Sequence, residues 1–130
     1  MNEYIAAMEP AKSIGILFCD VMGLKKANDS MGHQAGDNLL IRASECLRSE
    51  FKEYALFRIG GDEFLALCTG IGEKELLEKT EQVKIDMRKQ NANMAMGLVW
   101  RPDSREDMDE LITQADNLMY EDKRAWYAKY

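Results

Sequence analysis

Two short apolar runs, Ala55–Ile59 and Phe64–Cys68, stand four residues apart, and the four between them are Gly60-Gly61-Asp62-Glu63. Strand-like runs joined by so short a glycine-containing link read as a β-hairpin, so some of this chain forms antiparallel sheet. Ile14–Cys19 is a further buried strand, closed by Asp20, and Met94–Trp100 is another, broken by Arg101-Pro102-Asp103. Between and around them the apolar spacing is helical. Tyr4, Ile5 and Met8 predict a short helix near 2–8, ended by Pro10, and Leu24–Met31 predicts a second. Gly32 and Gly36 bracket an expected loop of His33, Gln34 and Ala35. Asp37 then stands where an N-cap belongs, ahead of a face formed by Leu40, Ala43, Leu47 and Phe51 with Leu39 and Cys46 beside it. Glu73–Lys89 is helical, with Leu76, Leu77, Val83 and Met87 expected inward. Met108, Leu111, Ile112, Ala115, Leu118 and Met119 make the apolar stripe of a last helix. Strands and helices in this order predict an α+β fold, one sheet with helices packed on it, in a single domain over 1–130.

The length of 130 residues suits one hydrophobic core, and 46% apolar with 31% charged residues is an ordinary globular balance. A net charge of −6 gives no general reason to bind nucleic acid or an anionic membrane. A phosphate-rich ligand on such a chain needs local lysines or a metal. Cys19, Cys46 and Cys68 lie in apolar stretches at no metal-ligand spacing, which suggests reduced, buried thiols and a cytoplasmic setting. The start of the chain lacks signal-peptide character, and no stretch approaches the ~20 apolar residues of a membrane span.

The hairpin tip carries the chemistry. Glycines permit positive φ and let another molecule approach the backbone. One acid beside glycine is ordinary turn chemistry, and a solvated turn is the plain reading of the tip alone. Asp20, however, closes the first strand, and a sheet that sets that strand beside the hairpin gathers Asp20, Asp62 and Glu63. Converging carboxylates repel one another unless a cation neutralises them. Hard ions such as Mg²⁺ take oxygen ligands of this kind, commonly one or two carboxylates plus substrate phosphates. Two metals about 3.5–4 Å apart serve in-line displacement at phosphorus.

Arg58-Ile59-Gly60-Gly61-Asp62-Glu63-Phe64 contains an unbroken GGDEF signature. Upstream, Asp20-Val21-Met22-Gly23-Leu24-Lys25-Lys26-Ala27-Asn28-Asp29 is similar to D-x-D-x-F-K-x-x-N-D, and Gly32-His33-Gln34-Ala35-Gly36-Asp37 to G-H-x-x-G-D. Ala115-Asp116-Asn117-Leu118-Met119-Tyr120-Glu121-Asp122-Lys123 is similar to A-D-x-A-L-Y-x-A-K. On these ordered blocks, which span most of the chain, the sequence resembles the GGDEF-domain diguanylate cyclases.

That resemblance implies a palm-like, ferredoxin-like core, with a central, mostly antiparallel sheet flanked by helices. It implies Mg²⁺, with Mn²⁺ as the alternative, held by Asp20, Asp62 and the backbone carbonyl of Val21, with Glu63 as a further acidic group. Asp62 and Glu63 are then the catalytic pair, Asp62 as base for an attacking 3′-hydroxyl. Gly60 and Gly61 would let the nucleotide lie against the backbone, and Lys25 and Lys123 match phosphate-contacting lysines. Asn28 and Asp37 match the guanine-recognising positions. An amide offers donor and acceptor, a carboxylate accepts from guanine N1–H and the N2 amine, and adenine would leave these groups unpaired. Read without the family, Asp37 caps a helix, Asn28 sits in a turn, and the lysines are solvated. His33, the lone histidine, is a poor zinc candidate and is expected to order its loop near the nucleotide.

The implied reaction joins two GTP into cyclic di-GMP and two pyrophosphates across a transient homodimer, in a domain that a longer parent can couple to a sensory domain. Five departures bear on it. Met22 stands for an aspartate, Leu24 for a phenylalanine, and Tyr127 for a frequent arginine four residues after Lys123. Phe51-Lys52-Glu53-Tyr54 replaces the R-x-x-D of the product-inhibition site. The usual D-x-L-T-x-L-x-N-R opening is also missing, so the family's N-terminal segment is expected to be absent. The competing reading is a catalytically silent GGDEF domain that binds GTP or cyclic di-GMP as a regulatory or dimerisation module.

Overall fold

The protein is described by a computed structural model covering residues 12–103, 105 and 107–129. The elements run β1 (Ile14–Val21), α1 (Leu24–Met31), α2 (His33–Phe51), β2 (Ala55–Arg58), β3 (Glu63–Thr69), α3 (Glu73–Lys89), β4 (Met94–Arg101) and α4 (Met108–Lys129). The helix expected near 2–8 lies outside the described residues. The four strands form one sheet in the order β2-β3-β1-β4, and each neighbouring pair is antiparallel. This is the α+β arrangement that the sequence pattern predicts and the ferredoxin-like core that the family resemblance implies.

β1 shows why its run is apolar almost without interruption. All eight of its residues are buried, because helices cover both faces of the sheet at this central strand. Successive side chains of a strand point to opposite faces. Leu17, Cys19 and Val21 accordingly join a core with Ala43 and Leu47 of α2 and Leu76 and Val83 of α3. Ile14, Ile16 and Phe18 join a second core with Leu111, Ala115 and Met119 of α4. One covering is closer than the other. A Cβ on Gly97 of β4 would overlap the Ala115 carbonyl oxygen and the Met119 amide nitrogen, so α4 rests on the sheet almost backbone to backbone.

Several expectations are corrected. The segment between Gly32 and Gly36 is not a loop: α2 begins at His33, and Gly32 at φ 86° makes the whole turn between α1 and α2. Asp37 therefore lies inside α2 and is not its N-cap. Leu77 and Leu118 point to solvent, 55% and 44% exposed. In α3 the inward position falls to Thr80, whose hydroxyl donates to the Leu76 carbonyl at 2.8 Å and so is buried without loss. β1 and β4 also run past their expected ends, to Val21 and Arg101. The three cysteines are free and buried as expected. Burial pushes the Cys68 thiol to about 12 and Cys19 higher still, so neither offers a thiolate. No helix of the described residues is long and apolar enough to cross a membrane.

Candidate active site

Strand register builds the centre of the site. β1 and β3 pair Cys19 with Phe64 and Asp20 with Glu63, and one step further the Val21 amide donates to the Asp62 carbonyl oxygen at 2.9 Å. Residues more than forty apart in sequence thus meet through backbone hydrogen bonding. The hairpin closes with the Ile59 amide on the Glu63 carbonyl at 2.9 Å. Arg58 then fastens the tip: Nε donates to Gly60 O at 3.3 Å and Nη2 to Gly61 O at 2.5 Å. The guanidinium also lies 5.9 Å from the centroid of the Phe64 ring. Gly60 and Gly61 do not use left-handed φ, which among the described glycines occurs at Gly23, Gly32 and Gly70. Their value is space: nothing lies within 4 Å of where a Cβ on Gly61 would stand.

The electrostatics of this centre are those of an anionic site short of cations. The Asp20 side chain is only 6% exposed. Its Oδ2 accepts from Lys123 Nζ at 2.8 Å, while its Oδ1 is buried with no partner. Burial raises the Asp20 pKa, the Lys123 hydrogen bond opposes that rise, and the Asp62 charge adds to it. Glu63 is raised first by burial and then by Asp20, Asp62 and Asp116. Lys123 is raised in turn, chiefly by its bond to Asp20. Among the described residues no three His, Cys, Asp or Glu side chains are grouped to hold a metal by themselves. The donor set still fits Mg²⁺, an ion that takes one or two carboxylates and completes its shell from phosphate and water. The orphaned Asp20 Oδ1 is the atom that such an ion would satisfy.

The α1–α2 hairpin forms the second wall. Gly23, at φ 82°, turns the chain from β1 into α1. Lys25 is exposed in the first turn of α1, and His33 is exposed at the start of α2. Asn28 is pressed against Gly36 so closely that a Cβ there would overlap its amide, and its Oδ1 is buried without a partner. Asp37, the next residue of α2, is exposed. Between this hairpin and the end of α4 opens a cavity of about 500 Å³, lined by Gly23, Lys25, Lys26 and Asp29 together with Trp126 and Tyr127. The Gly23 amide donates to Tyr127 Oη at 3.4 Å.

The structure therefore brings Asp20, Val21, Asp62, Glu63 and Lys123 together and sets Asn28 against the residue before Asp37. It does not place His33 in the lining of the cavity. Sequence reasoning missed Arg58 as the clamp of the tip, although an arginine just ahead of two glycines is itself a signal. It also missed Trp126 as a cavity wall.

An antiparallel sheet in this order, with carboxylates gathered where its two central strands meet the hairpin tip, defines a palm-like α+β domain with an acidic strand-end site. The sequence matches the family model "Diguanylate cyclase, GGDEF domain" over residues 2–127, and the chain belongs to that family. It is 29% identical over 126 residues to the bifunctional diguanylate cyclase/cyclic di-GMP phosphodiesterase MucR of Pseudomonas aeruginosa, covering 90% of this chain and 18% of MucR. It is 31% identical over 98 residues to the diguanylate cyclase DosC of Escherichia coli, covering 74% of this chain and 21% of DosC. The chain thus spans about a fifth of the length of these relatives. The crystal structure of the GGDEF domain of DgcB from Caulobacter crescentus, in complex with c-di-GMP, shares the fold with a TM-score of 0.80 at 20% identity, covering 95% of this chain and 80% of that one.

Proposed function

We propose that this domain condenses two GTP into cyclic di-GMP, releasing two pyrophosphates, with each of two copies in a transient homodimer holding one GTP. The β1–β3 register carries the reading, because it sets Asp20 opposite Glu63 and ties Val21 to Asp62 while leaving Asp20 Oδ1 without a partner. Asp20, Asp62 and the Val21 carbonyl would hold Mg²⁺ or Mn²⁺, with Glu63 beside them. When bound, the ion neutralises phosphate charge and polarises the α-phosphate.

The protein's own groups position and orient. Asn28, with its unpartnered Oδ1, and Asp37 receive the guanine edge; Lys25 and Lys123 face the phosphates. Gly60 and Gly61 leave the backbone open to the nucleotide, and Asp62 accepts the proton of the 3′-hydroxyl as it attacks the α-phosphate across the dimer. Holding the reacting groups in line and meeting the developing charge supply most of the acceleration in such transfers. Feedback through an R-x-x-D-type site is not expected here, since Phe51 is fully buried and Tyr54 packs against it with ring centroids 6.4 Å apart. A titration with cyclic di-GMP that gave strong non-competitive inhibition would overturn that expectation.

Two observations favour the silent regulatory reading: Lys123 already occupies Asp20, and Tyr127 stands in place of a phosphate-binding arginine. Incubation of concentrated protein with GTP and Mg²⁺, with cyclic di-GMP and pyrophosphate quantified, separates the two. Product from the parent and none from an Asp62→Ala, Glu63→Ala variant supports the cyclase. GTP bound without turnover at any protein concentration selects the regulatory module.

A further inference from the structure

Lys123 and Tyr127 sit four residues apart on α4, which puts them on one helix face. Each supplies what the wall opposite lacks. Lys123 Nζ gives Asp20 Oδ2 a cation at 2.8 Å, and Tyr127 Oη gives the Gly23 amide an oxygen at 3.4 Å. That amide lies at the start of α1, where the first N–H groups have no helical partner and where an anion would otherwise bind. Its bond to Tyr127 is longer than an ordinary N–H···O bond, so it is held loosely. The Tyr127 ring is set edge-on to Trp126, centroids 4.9 Å apart at 89°, and both rings line the cavity that also takes in Lys25 and Lys26. The arrangement is incomplete. Asp20 Oδ1 and Asn28 Oδ1, on the strand before Gly23 and the helix after it, remain buried and unpartnered, so the protein's own side chains leave polar atoms unsatisfied here.

We infer that Tyr127 is a residue of the substrate site: its hydroxyl stands in for a phosphate oxygen on the Gly23 amide, and an incoming nucleotide triphosphate must displace it. The inference rests on the GTP reading above and deepens it. The phenol is a competitor for the phosphate position, not a ligand to the phosphate. Removing its oxygen leaves an exposed amide that water satisfies, so the free protein loses little and the triphosphate no longer has to compete. Guanosine, having no phosphate, feels no such competition.

The test is calorimetric titration of the full chain and of Tyr127→Phe with two ligands in Mg²⁺: 3′-deoxy-GTP, which lacks the attacking hydroxyl and cannot condense, and guanosine. Tyr127→Phe should bind 3′-deoxy-GTP about two- to fivefold more tightly, the effect of one modest hydrogen bond, with guanosine affinity unchanged. Tyr127 is 51% exposed, so the variant should keep the parent's Tm, and that measurement runs alongside. Equal or weaker binding of 3′-deoxy-GTP by the variant overturns the inference, weaker binding meaning that the phenol donates to the phosphate. An equal gain for guanosine also overturns it, since the effect would then be general. If neither protein binds either ligand, the GTP reading itself falls, and this inference with it.

Discussion

Gly97 and Gly36 each leave room for something that a methyl group would strike, and what they make room for is different in kind. At Gly97 the obstacle is the backbone of α4, the Ala115 carbonyl and the Met119 amide, and a regular helix cannot withdraw two atoms without losing its own hydrogen bonds. At Gly36 the obstacle is the amide at the end of the Asn28 side chain, which a rotamer change would carry away. The first approach holds a layer of the fold on the sheet. The second seats the end of the Asn28 side chain against α2, one residue before Asp37. Two glycines of similar tightness therefore differ in what a methyl group would disturb, and the difference lies in whether the neighbour is main chain or side chain.

The largest effect that could break this comparison belongs to Gly97→Ala. Forcing α4 off β4 should cost about 3 kcal/mol or more, seen as a lower urea midpoint, and a near-neutral result would mean that the α4 contact yields more than its geometry suggests. Gly36→Ala comes next. Replacing a helical glycine by alanine contributes about 1 kcal/mol of propensity, which offsets the cost of turning Asn28. Stability should stay within about 1 kcal/mol of the parent while affinity for 3′-deoxy-GTP falls about tenfold or more, a loss of ~1.4 kcal/mol. Unchanged affinity would remove Asn28 from guanine recognition. The smallest effect has the opposite sign. Asp62→Asn deletes a charge that raises both Asp20 and Glu63, so without metal the variant should gain up to about 1 kcal/mol while losing turnover. Added Mg²⁺ should raise the Tm of the parent more than that of the variant, and equal shifts would place the ion elsewhere.

The same distinction explains what was legible beforehand. Glu73–Lys89 follows from periodicity end to end, because a helix under one core shows its buried face locally, whereas Leu24–Met31, with no buried residue, is legible only from its polar side. The start of α2 does not. Gly36 looks like loop punctuation, whereas its reason for being glycine is Asn28, a neighbour in space across the turn. Leu77 and Leu118 fail in another way: apolar spacing marks the width of a stripe, and only packing decides which edge of it is covered. At the candidate site, motif spacing singled out Asp20, Asp62 and Glu63, but their meeting depends on β1 lying beside β3 in one register, which no local pattern specifies. Arg58 escaped because its partners are backbone carbonyls, which every sequence has.

One small feature bears on how such a domain tolerates its own company. β4 is an edge strand, and the Met96 amide is taken at 2.9 Å by Oδ2 of Asp122, a residue standing where the A-D-x-A-L-Y-x-A-K pattern has alanine. A stray strand seeking to extend the sheet there finds a donor already engaged and a negative charge beside it. Crowding is what turns open strand edges into fibre seeds. One carboxylate set on that margin works against such pairing along the border.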